Sequence, residues 1–136
     1  MGEKNASETW TFDQSNNAPG WRAIDTEALQ ILAIERFLSQ NTDASYYRLL
    51  PKYLLHWHVG QAFAHLLDYQ NAISWMSKSY SSDSEWNEYV AGTISFLNQE
   101  TVLFSASALN LPLLAHMRRL SASRCWDYRL LNDCMT

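Results

Sequence analysis

The chain has 136 residues, 47% apolar and 18% charged. A single domain of this length can bury roughly two thirds of its unfolded surface, and this composition excludes a disordered chain. The net charge of −4, from 10 basic and 14 acidic side chains, disfavours a general nucleic-acid binder, which carries a basic face. Four glycines and three prolines are too few for the turns of an all-β domain, so the expectation is all-α.

Residues 1–20 are rich in Asn, Ser and Glu and end in Ala18-Pro19-Gly20. They read as a flexible lead-in, with residues 21–136 as one helical domain. They contain no apolar leader stretch, so the compartment stays open; an exported parent whose leader has been removed is compatible with this start. No run of about 18 apolar residues occurs, so no membrane-spanning helix is expected.

A first helix is expected over about 26–40, capped by Asp25 or Thr26, with Glu27 in its first turn. Leu29, Ile31, Leu32, Ile34, Phe37 and Leu38 give it a broad apolar face. A short helical turn over 44–50 follows. Pro51 then opens a long helix to about Leu67, apolar on more than one side and therefore expected between neighbours. The next helix is predicted from Asp68-Tyr69 to Tyr80. After the polar break at 81–84, helices are expected over 85–98 and 100–109. Leu111-Pro112 opens another, with Leu113, Leu114, Met117 and Leu120 at helical spacing. A last one covers about 124–132. The total is six to seven helices.

Charge is uneven along the second half. Residues 81–117 hold Asp83, Glu85, Glu88 and Glu100 without Lys or Arg, whereas 118–136 contain Arg118, Arg119, Arg124 and Arg129 against Asp127 and Asp133. The plain reading is a basic tail lying on the acidic stretch, through pairs worth about 0–1 kcal/mol each. The alternative is an acidic external partner. The only cysteines, Cys125 and Cys134, match no zinc or redox spacing; two free thiols is the favoured reading, a disulfide closing the tail the alternative.

No chemistry-bearing motif stands out. His56 and His58 point about 200° apart on a helix, and His58 and His65 lie about 10 Å apart along its axis. Neither spacing suits zinc. No nucleophile elbow, paired carboxylates or phosphate loop occurs, so neither enzyme activity nor a metal or other cofactor is expected.

The segment "YLLHWHVGQAFAHLLDYQNAISWMSKSY", residues 53–80, resembles a tetratricopeptide repeat, a helix-turn-helix unit of about 34 residues. Gly60 matches the small residue of the first helix and Phe63 the aromatic after it. Tyr69 matches the aromatic opening the second helix, and Ala72 its close-contact alanine. The early Trp position holds His56, the late alanine position Ser79 and the late proline position Ser84. A degenerate second unit spans about 86–109, with Gly92 in place but Phe104 where a small residue belongs.

The resemblance implies a short array of antiparallel hairpins that acts as a non-catalytic protein- or peptide-binding module, a monomer or weak homodimer. It also implies a ligand-facing stripe of Trp57, Gln61 and His65. Should that stripe be covered, the acidic 81–117 surface becomes the next candidate. The other class of function is a small ligand-binding protein or enzyme with an aromatic-lined pocket, suggested by six tryptophans and seven tyrosines.

Overall fold

The computed structural model describes residues 2–107, with side chains as far as Leu103. Five α-helices run in order: α1 (Gly2–Gln14), α2 (Glu27–Gln40), α3 (Lys52–His65), α4 (Tyr69–Met76) and α5 (Ser84–Ser107). Short 3-10 turns occupy Trp21–Ala23 and Ala44–Tyr47. The described residues contain no strand, in keeping with an all-α chain. The helices expected beyond residue 110, and both cysteines, lie outside the described residues.

Residues 2–14 are a helix packed on the domain, which corrects the flexible lead-in expected from their composition. Nothing between Glu3 and Ala18 breaks a helix, and Lys4 and Glu8 pair at i, i+4 across 3.9 Å. Ala6, Thr9 and Asp13 fall on one stripe and are buried. Asn5 donates to the Ser45 hydroxyl at 2.8 Å, and the Phe12 ring stacks on Phe37 at 4.2 Å.

The α2 helix begins at Thr26, whose hydroxyl accepts from the Leu29 N–H. Its buried residues Ile31, Ile34 and Leu38 join Leu50, Leu55, Val59 and Ala62 in one cluster with Trp21. The turn expected over 44–50 is helical only from Ala44 to Tyr47.

As its all-round apolar character implies, α3 is interior. Leu55, Val59 and Ala62 face the first cluster, while Trp57 and Ala64 face a second with Ala72, Met76, Val90, Phe96 and Leu97. It ends in a Schellman motif: the Asp68 N–H donates to the Phe63 carbonyl and the Leu67 N–H to that of Ala64. Leu67 occupies the left-handed position at φ 63°, where glycine is the usual residue.

Asp68 caps α4, accepting from the Asn71 N–H. This helix stops at Met76, four residues short of the expected end. Its last carbonyls are taken by Ser77 Oγ, donating to Ile73, and Ser79 Oγ, donating to Met76.

The two helices expected over 85–98 and 100–109 are one. Asn98, Gln99 and Glu100 contain no residue that breaks a helix, so α5 runs through them. Its start is set by Asp83, whose carboxylate accepts from the N–H groups of Glu85 and Trp86.

Candidate functional site

The expected stripe on α3 is not a surface. Trp57 is 3% exposed and Gln61 8%. The Trp57 ring lies 5.2 Å from that of Trp86 and 5.1 Å from that of Tyr89, so α5 covers it. His65 alone of the three is exposed, and its Nδ1 lies 3.3 Å from Glu27 Oε1. A groove along Trp57, Gln61 and His65 is therefore ruled out by the protein's own helices.

Of the residues placed at the hairpin contact, Gly60 and Ala72 are buried, and Phe63 and Tyr69 are half-buried. A Cβ on Gly60 would sit 2.5 Å from Met76 Cγ and 3.0 Å from the Ala72 carbonyl oxygen. Glycine is thus what lets α3 and α4 approach.

The aromatic residues do not line a cavity. Tyr53, Trp57, Trp86 and Tyr89 pack on one another at ring separations of 5.1 to 5.8 Å. Trp86 Nε1 donates to the Ser79 carbonyl at 2.7 Å. Burial raises the Tyr89 phenol above its ordinary value.

A polar cluster that the sequence did not announce joins α1 to α3. Asp13 is 1% exposed. Its Oδ1 accepts from Trp21 Nε1 at 2.9 Å and lies 3.4 Å from His58 Nε2. Its Oδ2 accepts from Gln14 at 2.7 Å and lies 3.5 Å from the Arg22 guanidinium. Arg22 Nε donates to the Asp13 backbone carbonyl at 2.6 Å, and its guanidinium stacks over the Trp21 ring. On the far side of the imidazole, His58 Nδ1 lies 3.0 Å from the Gln61 amide.

Burial holds the His58 pKa below its usual value and the nearby Arg22 pushes the same way, against the opposing pull of Asp13 and Gln61. The neutral ring donates from Nε2 to Asp13 and accepts at Nδ1 from the Gln61 NH2, with the amide turned to suit. Gln61 is thus a buried partner of His58 rather than a ligand contact. The only sequence signal for this cluster is the stripe Ala6, Thr9, Asp13, at i, i+3 and i+7, since its partners lie 8, 9 and 45 residues further along the chain.

Asp13 follows Phe12 directly, so the cluster also fixes one wall of an open apolar groove. This groove, about 950 Å³, runs between α1 and α2 and is lined by Phe12, Pro19, Ile24, Leu29, Leu32 and Phe37 among others. Leu29 is 55% exposed and Leu32 60%, three residues apart on the outer side of α2. Glu35 and Arg36 add opposite charges to its lining. The sequence assigned Leu29 and Leu32 to the core because periodicity marks an apolar face without saying what covers it.

No group of three or more His, Cys, Asp or Glu side chains that could hold a metal ion occurs among the described residues. No described helix is long and apolar enough to cross a membrane. No protein-family model, curated protein or solved structure matches the chain.

Proposed function

We propose that the chain is a non-catalytic docking module and that the groove between α1 and α2 takes an apolar-faced helix of a partner protein or peptide. The observation that carries this reading is the pair Leu29 and Leu32, both more than half exposed at the edge of a pre-formed apolar groove. Isolated exposed leucines are ordinary, but a contiguous apolar strip beside a groove marks an interaction site. A guest helix with apolar residues three and four apart matches the i, i+3 spacing of Leu29 and Leu32. The tetratricopeptide-type reading of α3 and α4 remains part of this proposal, supported by the close approach at Gly60. It differs from the family's usual mode in putting the docking face on α2 rather than on α3.

Selection from a displayed library of helical peptides against the full chain tests the reading. The expected peptides carry apolar residues at i, i+3 or i+4 and lose binding to a Leu29→Asp, Leu32→Asp variant that melts as the parent does. Peptides that bind parent and variant equally, or no enrichment at all, would overturn it.

A further inference from the structure

The far end of α5 has no partner in either core cluster, and the chain supplies one. Tyr53 and Trp57 of α3 lie beside Trp86 and Tyr89 of α5, and Ala64 shares a cluster with Phe96 and Leu97. The two helices therefore run parallel, with α4 antiparallel between them. In this register α3 ends at His65 roughly level with Leu97. Residues 98–107 then carry α5 about 15 Å further at 1.5 Å per residue.

Two observations on that extension call for a cover. Leu103 is buried at 4% exposure, although it belongs to neither core cluster. Glu100 Oε1 is buried with no hydrogen-bond partner among the described residues. A buried carboxylate oxygen without a donor is costly. No Lys or Arg occurs anywhere in 79–117, so no donor of positive charge is near in sequence on α5 itself.

We propose that residues 112–120 fold back antiparallel along the extension of α5, with Arg118 or Arg119 bonded to Glu100 and the apolar face of Leu113, Met117 and Leu120 lying over Val102 and Leu103. Three features argue for this occupant. The chain leaves α5 at this end, and 29 further residues follow Ser107. Asn110-Leu111-Pro112 supplies a cap and a proline for a new helix start. Register and charge agree as well: in a hairpin turning between Leu109 and Asn110, Glu100 comes opposite Arg119, and Val102 opposite Met117. The first four arginines after residue 48 are Arg118, Arg119, Arg124 and Arg129, all in this tail. The inference does not depend on the α1–α2 groove and stands or falls separately from it.

Cross-linking in the full chain tests it. In a background with Cys125→Ser and Cys134→Ser, the pair Val102→Cys and Met117→Cys is treated with a short thiol cross-linker and mapped by mass spectrometry. The expected product is an intrachain 102–117 link, absent for a control pair of Lys78→Cys and Met117→Cys. An interchain link would assign the cover to a second copy and overturn the proposal, as would no link at all. In a second arm, Glu100→Arg lowers the melting temperature, and adding Arg118→Glu with Arg119→Glu recovers part of the loss. An unchanged melting temperature for Glu100→Arg, or no recovery, overturns the assigned pairing.

Discussion

The two junctions of α3 are built on opposite principles. Against α4 it is held by shape: Gly60 lies on Met76 and Ala72, and the surrounding cluster is apolar. Against α1 it is held by charge, since Asp13 draws Trp21, Arg22 and His58 together in a buried site. Apolar packing is indifferent to pH and tolerant of salt, whereas a charge cluster is sensitive to both. One helix thus carries a permanent interface and a conditional one. The conditional one positions Phe12 at the groove.

The largest effect is expected on the shape-held side. Trp57→Ala should cost about 3–5 kcal/mol of stability, because it empties the site against Trp86 and Tyr89. Denaturant unfolding of parent and variant measures it. A loss below about 0.5 kcal/mol, the range of surface substitutions, would return Trp57 to the surface.

On the charge-held side, Asp13→Ala leaves Arg22, His58 and Trp21 Nε1 without their acceptor. The loss should be about 3 kcal/mol, at the low end for a broken buried pair, because Arg22 keeps partial contact with water. Groove binding should weaken with it, since Phe12 is no longer anchored. Asp13→Ala that lowers stability yet leaves peptide affinity intact would separate the cluster from the groove.

Gly60→Ala sharpens the steric half of the comparison. The added methyl meets the Ala72 carbonyl and Met76, and overpacking of this kind costs about 1–3 kcal/mol. The midpoint of chemical unfolding should fall, and peptide binding by the folded variant should not change.

The pH dependence separates the junctions further. His58 is held below its usual value by burial, and so is His56. Between the folded value and the unfolded value of about 6.5, the unfolded chain binds more protons than the folded one. Stability therefore rises with pH through that window, is complete above it, and is lost as pH falls. His58→Gln should flatten this slope in melting experiments from pH 7.5 to 5, leaving the part that belongs to His56. An unaltered slope would show that His58 takes no part.

The smallest effect is a gain. Leu67 holds the left-handed position that closes α3, a conformation that costs an ordinary residue about 1 kcal/mol. Leu67→Gly should recover up to about 1 kcal/mol, less the backbone entropy of glycine. A lower unfolding midpoint would mean that the leucine side chain contributes more than the strain costs.

Much of the fold was legible because it is local. The spacing of Ile31, Ile34 and Leu38, the proline before α3, and the caps at Thr26 and Asp68 are all read within a few residues. Gly60 announced the α3–α4 approach for the same reason, since a bare position inside an apolar helix implies a close neighbour. The helix α1 was missed because its core contribution is Ala6, Thr9 and Asp13, none of which registers as apolar periodicity, and its anchor is a contact 45 residues away in sequence. The site failed differently. Trp57, Gln61 and His65 do share a helix face, but α5 and the Asp13 cluster occupy two of the three. Leu29 and Leu32 looked like core and are open, because amphipathicity gives a face and not its cover.

Site-resolved NMR of the full chain during acidification from pH 7.5 to 5 tests the central claim most directly: the Asp13–His58 cluster alone docks α1 and sets the groove wall. The account predicts that the amides of residues 6–13 and the ring signals of Phe12 and Phe37 move toward exposed values first. The amides of Val59, Gly60 and Ala72 should keep their folded shifts over the same range. Loss of both sets together, or an α1 that stays docked while α3 and α4 change, would contradict it.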